Sequence, residues 1–172
     1  MFCKKNLVIY FFLLLFFDSI ALSNEKFAFI DVNFILEKSN SGKLVMKKLK
    51  KKNDENLKYF NLKEEKFLNK EKEIENIKNI ISNDDLKLKI SELKDNVNAY
   101  NLEKTKMIKN FDKFKNNELQ LFFKQLNKVI ENYMTENSIS ILFDKKNIFI
   151  GSSNHDITDD ILIIFNKNEI VE

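Results

Sequence analysis

Residues that interrupt regular structure are almost absent from this chain. Its 172 residues include no proline and only two glycines, Gly42 and Gly151. Because proline and glycine are the residues that most often end helices and strands, their scarcity predicts a few long, uninterrupted elements. Arginine is absent as well, so all 29 basic residues are lysines, which we attribute to an A+T-rich genome rather than to function.

Cysteine is nearly absent too. The only one, Cys3, precedes the apolar run at the N-terminus, so it cannot be the lipid-attachment cysteine that follows an export signal. A single cysteine forms no intramolecular disulfide and no cysteine-ligated metal site. The protein could therefore function in an oxidising compartment, but it would form no disulfides there.

Residues 1–23 have the pattern of a secretory signal peptide. Lys4 and Lys5 precede an apolar run, and small residues near Ser23 offer a cleavage site. An uncleaved membrane anchor is the alternative, but the run is shorter than the ~20 residues that span a bilayer, and Asp18 closes it. We therefore expect export and cleavage, which leave about 149 residues, enough for one domain.

Short strands are predicted at both ends of the mature chain. Residues 26–32 (KFAFIDV) alternate so that both faces of a strand are partly buried. Residues 139–143 and 148–150 show the same period of two around a Lys-Lys-Asn turn, which predicts a β-hairpin or a closely spaced strand pair. Thr158, followed by two aspartates, predicts the cap of a last short helix that ends near Asn166.

Between these ends, residues 43–136 predict two long helices folded into a hairpin. Only the polar stretch 82–85 gathers capping residues, so the chain is expected to reverse there. The first helix, with about 39 residues, would extend roughly 60 Å. Apolar residues recur at spacings of 3 and 4, which predicts a coiled-coil seam. The seam comprises Phe60, Phe67, Ile74 and Ile81 in the first helix and Leu86, Ile90, Leu93, Val97, Tyr100, Met107, Phe111 and Phe114 in the second.

Charged residues also fall at seam positions, so we expect a looser coiled coil than an all-apolar one. They are Glu64, Glu71, Lys78 and Lys104. Towards the end of the second helix, residues 119–134, the apolar face widens, which predicts burial against more than one partner helix.

Opposite net charges distinguish the two parts of the mature chain. Residues 43–136 contain 22 lysines and 16 acidic residues, a net charge of +6, whereas residues 24–42 and 137–172 contain 5 lysines and 9 acidic residues, a net charge of −4. The basic charge is either an ordinary solvated helical surface or a weak attraction for acidic or amphipathic partners that salt would reduce.

The sequence thus predicts an α+β protein in which a small β-rich body, residues 24–42 and 137–172, carries a long helical hairpin, residues 43–136. A body this small is near the lower limit for an independent core. Its strand faces are too apolar to stay in water, so we predict that it self-associates. The residues expected to form this oligomerisation body are Phe27, Phe29, Ile30, Ile141, Phe143, Ile148 and Ile150.

The run Ser152-Ser153-Asn154-His155-Asp156 contains the residue types of a catalytic triad. Adjacent residues cannot reach triad geometry, which is built from separate chain segments, and serines in a turn serve backbone hydrogen bonding. Metal binding is not expected either, because one histidine among aspartates lacks a second nitrogen or sulfur ligand. We therefore expect no enzyme activity and no cofactor.

A basic cluster lies in residues 43–52, which contain six lysines. It would suit nucleic acid, but export and the acidic residues along the helices argue against that partner. No glycine-rich phosphate loop is present, because neither glycine has a second one near it.

Taken together, the chain resembles the Skp/OmpH family of periplasmic chaperones over essentially the whole mature sequence. The most specific matches are Phe29-Ile30-Asp31-Val32 with Gly42, the strand end Leu142-Phe143-Asp144, and Asp156-Ile157-Thr158-Asp159 before the last helix. The resemblance implies a homotrimer with a central β-body and helical arms around a cavity. That cavity would hold unfolded outer-membrane β-barrel proteins in the periplasm without ATP.

The family's basic arm tips are not matched, since residues 70–95 carry 6 lysines and 7 acidic residues. Contact with a membrane surface is accordingly expected to be weak at most. We expect a holdase chaperone, and the alternative is a secreted coiled-coil structural or adaptor protein of the cell envelope. The strand-rich ends favour the chaperone, because a simple spacer needs no β-body.

Overall fold

The computed structural model describes residues 25–168, so the predicted signal peptide lies outside the described residues. In chain order the elements are β1 (Lys26–Ile30), α1 (Val32–Lys38), α2 (Asn40–Ile77), α3 (Asn83–Asn137), β2 (Ile139–Asp144) and α4 (Thr158–Asn168). Two single-turn 3-10 helices, Lys145–Asn147 and Ser153–His155, lie between β2 and α4. The protein is therefore mostly helical, with one two-stranded sheet.

The two long helices form the predicted hairpin, which we call the arm. With 38 and 55 residues, α2 and α3 extend about 57 Å and about 83 Å. The chain reverses at the predicted polar stretch, where the Ser82 side chain accepts a hydrogen bond from the Asp85 amide at 3.1 Å. Two aspartates in the first turn of α3 lie where negative charge favours a helix N-terminus.

At its other end, α2 begins three residues earlier than predicted. Ser39 caps it by accepting a hydrogen bond from the Gly42 amide at 3.1 Å, so Gly42 lies inside the first turn rather than in a break before the helix. A Cβ atom at this position would overlap the carbonyl oxygen of Leu36. Glycine is therefore required because α1 and α2 approach each other closely.

Along the seam, the predicted apolar residues are half-buried or buried, with one exception. Phe60 and Tyr100 are buried at 7% and 5% exposure, whereas Ile90 is 50% exposed and does not belong to the seam. No residue between Phe60 and the tip of α2 is fully buried. The distal half of the arm is thus held by partly exposed contacts.

The sheet corrects the predicted hairpin of residues 139–143 and 148–150. β2 pairs in parallel with β1 instead, with Phe27 opposite Ile141 and Phe29 opposite Phe143. After β2 the chain enters a 3-10 turn, in which the Asp144 carboxylate accepts a hydrogen bond from the Lys146 amide. Residues 148–150, which follow this turn, form no strand with any described residue.

The core lies where the base of the arm meets the sheet. Ala28 and Ile30 of β1 face it, together with Ile35 of α1. The widened apolar face of α3 buries Phe122 and neighbouring residues against α4, and the Phe122 ring meets the Phe165 ring edge-on at 5.5 Å. The other members of this core are Val45, Leu49, Leu126, Val129, Ile130, Ile157 and Ile161. The body and the base of the arm thus share one core.

Candidate functional site

The face of the sheet that points away from the core is apolar and largely uncovered. Parallel pairing places Phe27 beside Ile141 and Phe29 beside Phe143 on this side, which we call the outer sheet face. Phe27, Ile141 and Phe143 are 52%, 45% and 46% exposed. Three large apolar side chains exposed together on one small sheet are typical of an interaction surface.

The segment after the first 3-10 turn covers Phe29 of the outer sheet face. Gly151 lies against the Phe29 ring so closely that a Cβ atom there would be 2.8 Å from it, and Phe29 is 6% exposed. The preceding residues Phe149 and Ile150 are 98% and 85% exposed. Phe149 was not among the predicted residues, although the Ile-Phe-Ile alternation that suggested its neighbours would have included it on the opposite face.

The seven residues predicted for oligomerisation are not all on this surface. Ile30 is 2% exposed and belongs to the protein's own core, because neighbouring residues of a strand point to opposite faces. Phe29 is covered by its own chain, and Ile148 is half-buried. Phe27, Ile141, Phe143 and Ile150 remain available to a partner. Their role in assembly stays a prediction.

His155 and its serine neighbours have structural contacts. The imidazole stacks on the Phe27 ring with centroids 4.6 Å apart. The carbonyl groups of Ser152 and Ser153 accept hydrogen bonds from the amides of His155 and Asp156, each at 3.0 Å. Within residues 25–168, no group of three His, Cys, Asp or Glu side chains is placed to hold a metal ion.

Asp156 joins the end of β1 to the start of α4. Its carboxylate accepts hydrogen bonds from Lys145 at 2.7 Å and from the Thr158 hydroxyl at 2.5 Å, and Thr158 in turn accepts one from the Asp31 amide at 2.9 Å. Burial opposes ionisation, but the hydrogen bonds from Lys145 and Thr158 hold the pKa of Asp156 below its usual value. Thr158 is thus the first residue of α4 and not its predicted cap.

A polar cluster joins the two helices across the arm seam. It involves two of the charged positions that we expected to loosen the seam. Glu64 of α2 accepts hydrogen bonds from Lys104 at 2.7 Å and Tyr100 at 2.8 Å, both on α3. The Lys104 ammonium group lies 5.2 Å from the centre of the Phe60 ring. We call Glu64, Tyr100 and Lys104 the seam cluster.

Hydrogen bonds shift the pKa of each member of the seam cluster. Those from Lys104 and Tyr100 lower the pKa of Glu64, and the bond to Glu64 raises the pKa of Lys104. Burial, with the bond to Glu64, raises the pKa of Tyr100. Hydrogen bonds therefore join the two helices at this level of the seam. Glu71 is exposed, and Lys78 pairs with Glu75 of the same turn, so these two do not cross the seam.

The basic charge of the arm is concentrated in the half next to the body. Residues 40–58 and 106–128 carry 13 lysines and 4 acidic residues, a net charge of +9, whereas residues 59–105 carry 9 lysines and 10 acidic residues, a net charge of −1. The two groups occupy opposite ends of the hairpin, since Glu64 pairs with Lys104 near the boundary. Any attraction for an acidic partner is thus strongest near the base of the arm.

These features define an α+β protein with a long helical arm on a small sheet-containing body, whose exposed features suit binding to other polypeptides. A family model described as "Outer membrane protein (OmpH-like)" matches residues 26–164, most of the chain. The chain therefore belongs to the OmpH-like family, which confirms the resemblance seen in the sequence.

One similar solved structure is a candidate OmpH-like outer membrane chaperone from Caulobacter crescentus. It shares 19% identity with this chain at a TM-score of 0.75, and the match covers 84% of this chain and 85% of that one. At this identity the likeness establishes the fold. No curated protein matches the chain. Within residues 25–168, no helix has the length and apolar character needed to cross a membrane.

Proposed function

We propose that this protein is an ATP-independent holdase chaperone of the periplasm. It binds unfolded outer-membrane proteins between helical arms and prevents their aggregation, without enzyme activity. Family membership supports a chaperone role, and the signal-peptide pattern of residues 1–23 supports export. The observation that carries the proposal is the exposed outer sheet face at the base of a long arm. Association of several copies through this face would place their arms around one space.

The assembly that we propose is a homotrimer, as the family resemblance implies. The described sheet has two strands, so β2 has an edge that pairs with no other described strand. Unpaired edges and exposed apolar side chains favour pairing with another chain. Residues 148–150, predicted as a strand but unpaired within their own chain, would supply that pairing to a second copy. Phe149 and Ile150, 98% and 85% exposed, would then be buried.

A client would be held by many weak contacts along the arms. Exposed apolar side chains occur singly along both helices, where each can bury a small area against an unfolded chain. They include Leu44, Leu57, Leu62, Leu68, Leu88, Leu102 and Ile108. The net charge of +9 near the arm base would speed the capture of acidic clients, an effect that falls as salt rises.

Dilution of a urea-denatured outer-membrane β-barrel protein tests this function. Purified mature protein should suppress the light scattering of the aggregating client at about one trimer per client, with no nucleotide present. Full aggregation at every chaperone concentration would refute the proposal. A stable trimer that fails to suppress aggregation would instead favour the structural or adaptor role.

A further inference from the structure

A groove of about 330 Å³ runs between α2 and α3 on the body side of the seam cluster. Three carboxamide side chains line it from α2, namely Asn53, Asn56 and Asn61. Apolar side chains line it from both helices, and Leu57 and Ile108 among them are 48% and 47% exposed. The groove thus combines hydrogen-bonding groups with accessible apolar surface.

Asn56 is unusual among these residues. It is 7% exposed, and no hydrogen bond joins its side chain to another described residue. A carboxamide offers two N–H donors and a carbonyl acceptor, and those of Asn56 stay accessible to solvent in the groove. Its position in the groove wall therefore suits a ligand that both donates and accepts hydrogen bonds.

The charges at the end of the groove argue against an anion as that ligand. Lys104 is the only cation in the lining, and Glu64 neutralises it at 2.7 Å. A partner helix is a poorer complement to the carboxamides, since its backbone N–H and C=O groups are hydrogen-bonded to each other.

An extended polypeptide fits both the size and the chemistry. Its backbone presents an N–H and a C=O at each residue, the complement of a carboxamide. From Asn53 to Asn61 the helix rises about 12 Å, which matches three to four residues of extended chain at ~3.3 Å each. Alternate side chains of such a segment would meet Leu57 and Ile108, and the others would face water.

We propose that this groove binds an extended segment with alternating apolar and polar side chains, and that Asn56 hydrogen-bonds the segment's backbone. Outer-membrane strands carry this alternation. The inference rests on the proposed function, which it deepens by naming where on the arm a client is held and by which groups.

The probe is a fluorescent ten-residue synthetic peptide of alternating valine or leucine and serine or threonine, titrated with the assembled mature protein by anisotropy. Leu57→Asp should weaken binding about tenfold or more, a change in binding free energy of about 1.4 kcal/mol. Asn69→Asp is the control for the added carboxylate, because Asn69 is exposed on the same helix but does not line the groove. It should leave affinity within about twofold.

Asn56→Leu separates ligand binding from a purely structural role. It replaces a carboxamide that makes no hydrogen bond to another described residue, so thermal stability should be kept while peptide affinity falls about tenfold. A parallel fall in stability and affinity would overturn the assignment of Asn56. Equal affinities for wild type, Leu57→Asp and Asn69→Asp would overturn the groove.

The aggregation assay distinguishes this inference from the proposed function. Suppression of client aggregation by wild type, without peptide binding in the groove, would overturn the groove and leave the holdase. Groove-dependent peptide binding without suppression would support the groove and overturn the holdase.

Discussion

Ile141 offers the sharpest test of assembly through the outer sheet face. Its side chain lies beside Phe27 and is 45% exposed. Complete burial of an isoleucine contributes about 1.5–3 kcal/mol, so covering the exposed part on assembly should contribute about 1 kcal/mol per copy. Ile141→Asp removes that contribution and places a carboxylate in the interface.

Burying an unpaired carboxylate adds several kcal/mol to this loss. A total of at least about 3 kcal/mol per copy corresponds to a roughly 100-fold weaker association. Chromatography with light scattering, run over a range of concentrations, should therefore show the variant as a monomer where the wild type is a trimer. The fold should be kept, because this side chain lies outside the core cluster.

Ile163→Asp is the matched control for this experiment. Ile163 is 53% exposed but lies on α4, away from the outer sheet face. The control should retain the wild-type mass. If Ile141→Asp also retained it, or if both variants dissociated to the same extent, assembly through the outer sheet face would be wrong.

Four further predictions follow from single residues. Gly42→Ala should lower the free energy of unfolding by about 2 kcal/mol in urea titrations, because its Cβ would overlap the Leu36 carbonyl oxygen; unchanged stability would contradict this. Ser138 has a φ of 55° where α3 ends. Ser138→Gly should therefore raise the free energy of unfolding by about 0.5–1 kcal/mol, seen as a higher Tm, whereas Ser140→Gly in β2 should not raise it. The hydrogen bond to Asp160 raises the pKa of Tyr133 to about 12, so its phenolate absorbance should appear near that pH, and Asp160→Asn should return it towards ~10. His155→Ala should leave aggregation suppression intact, since its ring stacks on Phe27 without a described chemical role; lost suppression in a folded variant would refute this.

The spacing of apolar residues predicted where helices and strands lie better than it predicted which of them pack together. The two long helices and the break near Ser82 follow from apolar spacing and capping residues, which act within a few positions of the chain. The parallel pairing of β1 with β2 could not be predicted, because strands whose partners lie 114 residues apart, such as Phe27 and Ile141, pair through the core that both help to form. The hairpin expected from residues 139–150 was wrong for the same reason.

For the polar groups of the arm, too, the sequence predicted positions but not partners. Spacing placed Glu64 and Lys104 in the seam, but their pairing depends on the register between α2 and α3, which no local pattern specifies. Asn56 lies seven residues after Leu49 and four before Phe60, on the buried stripe of α2, but apolar periodicity does not mark a carboxamide there. Glu64 and Lys104 thus pair across the helices, and the looseness expected from charged seam positions stays a prediction.

The unbroken course of α3 has a mechanical consequence. This helix runs from the arm tip past Phe122, which is buried in the core, and only Ser138 separates it from β2. About 58 Å of helix lie on the tip side of Phe122 and about 22 Å on the sheet side. Because the core also holds Leu126 and Ile130 on the sheet side, α3 is fixed at its base over several turns, and a force at the tip acts on the core through a lever of about 58 Å. A load on the arm is therefore transmitted to the core that supports the outer sheet face.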